Sequence, residues 1–180
     1  MKHALFIMAL VLSPLAARAE TVPEPESYRM DQYRAPVPDT LHGAQVVDAE
    51  AAHELWQSGA AAFVDVLPRA PKPANLPQGT IWQEKPHPSI PGAIWLPNVG
   101  YGAIAEETAD YFRRGLQTAT DGDKDRPVVI FCLADCWMSW NAAKRALEFG
   151  YSRVLWMPDG TDAWVERDYP TKALTARPMP

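Results

Sequence analysis

The sequence predicts an α/β domain built on a mostly parallel sheet. Short apolar runs alternate with segments of helical character from Gly43 onward, as in chains of repeated strand–helix units. The run Ala61–Val66 ("AAFVDV") is apolar enough to be buried on both faces, which is typical of a parallel strand. A chain of 180 residues is also long enough for one domain with its own core.

The first half of the domain contains three predicted strands. "AQVVD" (Ala44–Asp48) is the first, and Asp48 is a suitable N-cap for a helix over Ala49–Ser58 that stops at Gly59. Ala61–Val66 is the second strand, and "AIWL" (Ala93–Leu96) is the third. A helix is expected over Glu106–Thr118.

The connection Leu67–Pro91 separates the second and third strands. It carries seven prolines in 25 residues, which predicts irregular structure throughout. Long irregular connections inside compact domains are usually lids or binding loops.

The second half begins with the clearest buried strand, "PVVIF" (Pro127–Phe131). A helix should start just after Cys136 and stop at Gly150. Its apolar face would carry Trp140, Ala143 and Leu147. The strand "RVLWM" (Arg153–Met157) and a short helix over Thr161–Arg167 complete the domain.

The chain begins with the pattern of a cleavable export signal. Lys2 precedes an apolar run over Ala4–Leu12, and Ala17–Ala19 ("ARA") fits a cleavage site, so residues 1–19 are expected to be a signal peptide. The run is too short to span a bilayer. We therefore expect a periplasmic protein with no membrane span after cleavage. We expect a proline-rich arm at 20–42, the domain at 43–172 and a tail at 173–180.

The charge balance argues against a nucleic-acid partner. Loss of Lys2 and Arg18 with the signal peptide changes the formal net charge from −5 to −7. An acidic protein approaches a polyanion against repulsion, whereas a small basic partner protein would suit it.

The stretch "FCLADCW" (131–137) places both cysteines between the clearest strand and the helix that follows. Chemistry in parallel sheets concentrates at the carboxyl ends of strands. Loop amides and a helix N-terminus stabilise a thiolate, which is the reactive form of cysteine. We therefore take Cys132 and Cys136 as the candidate catalytic residues. The expected loop or anion cradle consists of Leu133, Ala134, Asp135 and Trp137.

Five stretches, in order, resemble the rhodanese-like domain family. They are "AFVDV" (62–66), "IPGAIWLP" (90–97), "PVVIFC" (127–132), "AAKRALEFGYSRV" (142–154) and "DGTDAW" (159–164). The resemblance implies a central five-stranded parallel sheet flanked by helices. It also implies that Cys132 is the position that carries a sulfane sulfur in sulfurtransferases.

A narrower resemblance covers nearly the whole chain after the signal peptide. "YRAPVPDTLHGA", "IPGAIWLPNVGYG", "YFRRGL" and "FCLADCWMSWNAAKRALEFGY" resemble the exported PQQ-dependent catabolism-associated CXXCW motif proteins. This implies a link to alcohol oxidation with pyrroloquinoline quinone (PQQ). The spacing here is Cys-x3-Cys-Trp, one residue wider than that family's name indicates.

The chain departs from the sulfurtransferase pattern in the cysteine loop. The loop lacks the family's arginine and glycine, and Asp135 brings a negative charge where thiosulfate would sit. Met138 occupies the arginine position of the related phosphatases. Asp65 matches the family's acidic residue after the second strand, but Leu67 replaces its arginine, so Arg69 is the candidate substitute. These differences disfavour thiosulfate sulfurtransferase and phosphatase activity.

Several functions remain open from the sequence. In the first, Cys132 attacks or carries sulfur and Cys136 resolves the resulting bond. In the second, the domain is a non-catalytic binding or assembly module for a periplasmic PQQ dehydrogenase or cytochrome, with its seven tryptophans forming a partner surface. In the third, the cysteines bind copper or zinc with help from His42, His53 or His87. In the fourth interpretation, Cys132 and Cys136 form a purely structural disulfide. No cofactor is expected.

Overall fold

A computed structural model describes residues 22–69, 73–81 and 87–179 of the chain. Residues 1–21, which include the expected signal peptide (residues 1–19), lie outside this part, as does Trp82. Within the described residues, no helix is long and apolar enough to cross a membrane.

Five parallel strands form the central sheet, as the sequence predicts. They are β1 (Gln45–Val46), β2 (Ala62–Asp65), β4 (Ile94–Trp95), β5 (Val128–Phe131) and β6 (Val154–Met157). Their order across the sheet is β1-β6-β5-β2-β4, which places β5 at the centre. Every residue of β2, β5 and β6 is buried, which explains why these strands are apolar except for Asp65 at the end of β2.

Four helices flank this sheet. They are α1 (Ala49–Ser58), α2 (Glu106–Thr120), α3 (Trp137–Glu148) and α4 (Gly160–Glu166). The Asp48 side chain accepts the Ala51 amide and caps α1 as expected, and Gly59 ends the helix with a φ of 66°. In α3, Trp140 and Ala143 are buried and Leu147 packs against the same cluster.

Residues of alternate strand positions form two cores, one on each face of the sheet. Val64, Ile130 and Trp156 lie in one cluster, which also contains Cys132 and Cys136. Phe63 and Phe131 lie in the second cluster on the opposite face.

A second, two-stranded sheet was not predicted. It pairs β3 (His87–Ser89) with β7 (Lys172–Leu174) in antiparallel orientation. The prediction that Leu67–Pro91 is irregular throughout is therefore wrong at residues 87–89. Pro88 is tolerated in β3 because both strands of a two-stranded sheet are edges, so the missing N–H can face away from the partner.

Candidate functional site

The cysteine loop (residues 132–136) connects β5 to α3 at the carboxyl edge of the central sheet. Cys132 and Cys136 are joined by a disulfide, with their Cα atoms 6.3 Å apart. Cys132 is 1% and Cys136 2% exposed, so neither sulfur is open to solvent. The structure therefore shows the oxidised form of the pair in a closed environment.

The start of α4 supports the first half of this loop. The Thr161 amide donates to the Cys132 carbonyl over 2.9 Å, and the Thr161 hydroxyl donates to the same oxygen over 3.3 Å. Leu133 forms an antiparallel bridge with Gly160. The Ala134 amide donates to Oδ2 of Asp162 over 3.0 Å.

Residues 33–36, which we call the arm segment, cover the second half. The Ala35 amide donates to the Asp135 carbonyl over 3.2 Å, and the Trp137 amide donates to the Tyr33 carbonyl over 2.9 Å. Arg34 thereby forms an antiparallel bridge with Cys136. The Trp137 indole N–H adds a bond to the Pro36 carbonyl over 3.1 Å.

The backbone amides of the expected anion cradle already have hydrogen-bond acceptors within the chain. The amides of Ala134 and Trp137 already donate to groups of the chain itself, the Asp162 carboxylate and the Tyr33 carbonyl. Leu133 and Ala134 are half-buried, whereas Asp135 is exposed with a φ of 51°. In this state the exposed Asp135 gives the loop an acidic surface. An anion would bind the loop amides only by displacing the Asp162 carboxylate and the Tyr33 carbonyl from them.

Cys136 occupies the N-cap position of α3, with no side-chain hydrogen bond to the helix. The first amides of a helix carry a partial positive charge, which stabilises a thiolate at that position. On opening of the disulfide, Cys136 is therefore placed to hold negative charge. Cys132, at the end of β5, does not have this position relative to the helix axis.

Asp65 lies at the end of β2, on the sheet face opposite the cysteine cluster. Its buried carboxylate bonds Nε2 of His87 over 2.7 Å and accepts the Ser89 hydroxyl over 2.5 Å. It also accepts the Leu67 amide over 2.9 Å. The group anchors β3 to the sheet, and the His87 ring lies 4.4 Å from that of Trp95.

The sequence suggests a role for His87 only as a metal ligand and gives no sign of a role for Ser89. Arg69 is exposed, and its backbone amide donates to Oδ1 of Asn98 over 3.1 Å. The described contacts thus do not bring Asp65 or Arg69 to the disulfide.

The other residues considered for binding are dispersed. Across the described ranges, no three His, Cys, Asp or Glu side chains are grouped as a metal site would require. His53 stacks on Tyr169 with ring centroids 3.8 Å apart. Five tryptophans are buried in the cores and Trp56 is half-buried; the five are Trp95, Trp137, Trp140, Trp156 and Trp164.

A family model described as "Rhodanese-like domain" matches residues 43–167, more than half of the chain. No curated protein matches the chain significantly. Among solved structures, the rhodanese-like domain of the Alr3790 protein from Anabaena sp. is 20% identical, with a TM-score of 0.49, covering 72% of this chain and 79% of that one.

Two further solved structures are similar at a comparable level. The polysulfide-sulfur transferase homodimer from Wolinella succinogenes is 15% identical with a TM-score of 0.44, covering 72% of this chain and 79% of that one. EanB in complex with hercynine is 23% identical with a TM-score of 0.47, covering 74% of this chain and 32% of that one.

Proposed function

Because the chain belongs to the rhodanese-like domain family, we propose that its cysteine loop performs thiol chemistry, with the Cys132–Cys136 disulfide as its oxidised state. The observation that carries the proposal is the bond itself. It joins Cys132, which the sequence resemblance implies to be the family's sulfur-carrying position, to a second cysteine at the N-cap of α3.

The reaction that fits this pair is two-electron thiol–disulfide exchange. A partner thiolate attacks one sulfur of the loop, the Cys132–Cys136 bond breaks, and the displaced cysteine leaves as a thiolate and takes up a proton. A second partner thiolate then attacks the mixed disulfide and releases the other loop cysteine. The partner leaves with a disulfide, and both loop cysteines become thiols. In the reduced state, Cys132 is also available to carry a persulfide.

The setting we propose is periplasmic alcohol catabolism that depends on PQQ. The pattern of residues 1–19 supports export, and the narrower resemblance to the CXXCW motif proteins supports the pathway. The partner would be a PQQ-dependent dehydrogenase or a cytochrome of the same compartment. The proposal includes no nucleic-acid partner and no membrane span after removal of the signal peptide.

Intact mass spectrometry with thiols trapped before lysis tests the proposed chemistry. We expect the exported protein to contain a reducible bridge, or one extra sulfur atom on Cys132. We also expect purified protein to be reduced and reoxidised reversibly in glutathione buffers while folded. Cys136→Ser should abolish turnover with a dithiol or disulfide probe. Full turnover by that variant would refute the proposed role of the pair.

A non-catalytic binding module is the second candidate, and the burial of both sulfurs beneath the arm segment favours it. A loop of this kind would keep its bridge in native buffers and react only after unfolding. Affinity capture from cells grown on an alcohol, with wild-type protein and Cys132→Ser/Cys136→Ser side by side, distinguishes the two. A module should retain its dehydrogenase or cytochrome partner in the double variant.

A further inference from the structure

The contact between the arm segment and the cysteine loop has the backbone pattern of a strand-pairing site. The two amide bonds, Ala35 to Asp135 and Trp137 to Tyr33, flank the pair Arg34 and Cys136. This makes Arg34 and Cys136 a non-hydrogen-bonded pair of an antiparallel ladder. In such pairs the Cα atoms are about 4.5 Å apart and the side chains leave the ladder on the same side.

This spacing is also the spacing of a disulfide, whose Cα atoms are about 4.4–6.8 Å apart. A cysteine in the register position of Arg34 would therefore lie on the same side of the ladder as Cys136, at the Cα spacing that a disulfide needs. Cys132 is engaged differently, because its carbonyl is held by the amide and hydroxyl of Thr161 from α4.

We propose that this strand-pairing site recognises an extended, basic segment of a partner protein, and that Cys136 forms the mixed disulfide with a cysteine in that segment. This inference rests on the exchange function proposed above and names its substrate class as protein thiols. The arm segment is the chain's own occupant of the site and is displaced when the partner docks. The order of attack expected from the sequence, with Cys132 first, is thereby reversed.

The chemistry follows from this geometry. The partner thiolate attacks Sγ of Cys136, and Cys132 leaves with the electron pair of the broken bond and takes a proton. The partner's second thiolate then attacks the partner sulfur of the mixed disulfide, and Cys136 leaves. Cys136 is suited to this last step because its N-cap position stabilises the departing thiolate, and a stabilised thiolate is the better leaving group.

Charge determines which segment fits. Asp135 is exposed on the loop, and Asp162 lies against the Ala134 amide. The present occupant brings Arg34 opposite Cys136, and the Arg29 guanidinium stacks 5.2 Å from the centre of the Trp137 ring. A cationic peptide is therefore favoured over an anionic small molecule such as thiosulfate.

The register is tested by moving a thiol into it. Arg34→Cys in the full chain, equilibrated in a glutathione buffer, should form a bridge between position 34 and Cys136 that peptide mapping detects, with Cys132 as the free thiol. The matched control is Ala35→Cys, whose side chain leaves the ladder on the other side. It should keep the Cys132–Cys136 bond and a free introduced thiol. A bridge from position 34 to Cys132, or an unpaired thiol at position 34, overturns the register.

A second measurement uses the wild-type chain and does not depend on the folding of any variant. The probe is a synthetic peptide with the sequence of residues 29–37, with cysteine in place of Arg34 and asparagine in place of Asp31, so that it keeps the cationic Arg29 and has no acidic side chain. Its control is the same peptide N-methylated at the residue matching Ala35, which removes the donor to the Asp135 carbonyl. We expect the methylated peptide to reduce the loop at least tenfold more slowly.

Dithiothreitol separates the two proposals. If it reduces the folded protein but the two peptides react equally, strand pairing is refuted and the exchange function stands. If neither dithiothreitol nor either peptide reduces the folded protein, the exchange function fails and this inference fails with it.

Discussion

Gly160 shapes the cysteine loop because it lacks a side chain. It begins α4 with a φ of 54°, and its backbone forms the bridge with Leu133. A Cβ added there would lie 2.6 Å from the carbonyl carbon of Leu133. The loop therefore approaches α4 as closely as it does only because this position is glycine, a requirement that a sequence without the fold does not reveal.

Gly160→Ala should destabilise the protein more than Gly59→Ala does. Both glycines have positive φ, which costs alanine about 1–2 kcal/mol, but a Cβ at Gly59 meets nothing within 4 Å. We expect a loss of about 1 kcal/mol in the free energy of unfolding for Gly59→Ala and about 3 kcal/mol for Gly160→Ala. Urea denaturation measures both. Equal losses of unfolding free energy in the two variants would mean that the close approach to Leu133 does not add to the cost of a side chain at Gly160.

At the scale of elements, the sequence predicted those elements whose burial leaves a pattern. Strands β2, β5 and β6 are apolar runs, interrupted only by Asp65 at the end of β2, and α1 has a local N-cap, so each could be located from neighbouring residues. Strand β3 could not, because its pairing with β7 and the bonds of His87 and Ser89 to Asp65 join residues distant in sequence.

For the candidate site, the sequence predicted where the cysteines lie but not what covers them. The position of Cys132 and Cys136 between β5 and α3 follows from the strand and helix patterns. That the arm segment covers the cysteines does not follow from these patterns, because this contact depends on backbone hydrogen bonds between the arm segment and residues 135–137. Backbone bonds leave no signature in residue type. The sequence likewise does not reveal that the Tyr33 carbonyl and the Asp162 carboxylate accept the amides of the expected cradle.

Helix α2 and the C-terminal segment meet through Tyr111, which is buried and donates its hydroxyl to the Arg177 carbonyl over 3.0 Å. Burial raises the pKa of Tyr111 to about 12 from its usual 10.0. The folded state thus favours the neutral phenol. Its contribution to stability is complete below pH 10 and is lost as the pH rises towards about 12.

Tyr111→Phe should therefore reduce the alkaline loss of stability. We expect the free energy of unfolding of the wild type to fall between about pH 9 and about pH 11, and the variant to fall by less. Burial also raises the pKa of Tyr28 and Tyr151, so part of the decline should persist in the variant. Urea denaturation at the two pH values measures the difference. Equal declines would contradict the role assigned to Tyr111.

At the scale of the whole molecule, two hydrophobic cores on a five-stranded sheet support the fold independently of the disulfide. The bridge spans a sequence separation of only 4, so the loop it closes is short. Closing so short a loop restricts the unfolded chain by only about 2 kcal/mol. A protein that cycles between oxidised and reduced states needs this property, because it must remain folded in both.

Reduction should lower the melting temperature without unfolding the protein. A loss of about 2 kcal/mol corresponds to about 4–8 °C for a domain of this size. Calorimetry with and without dithiothreitol measures the change, and Cys132→Ser/Cys136→Ser should melt near the reduced wild type. Unfolding at room temperature upon reduction would show that the bridge is a structural staple.

The sequence distances of two contacts around the cysteine loop imply an order of events during folding. The Cys132–Cys136 bridge joins residues 4 apart, whereas the Trp137 indole reaches Pro36 across 101 residues. Local contacts close in a chain long before those that need the whole domain. An oxidant can thus reach the thiols while the loop is still open, and the arm segment covers a bond that has already formed. Oxidation can therefore precede the final packing step, and thiols not oxidised by then would form the bridge only after the arm segment moves aside.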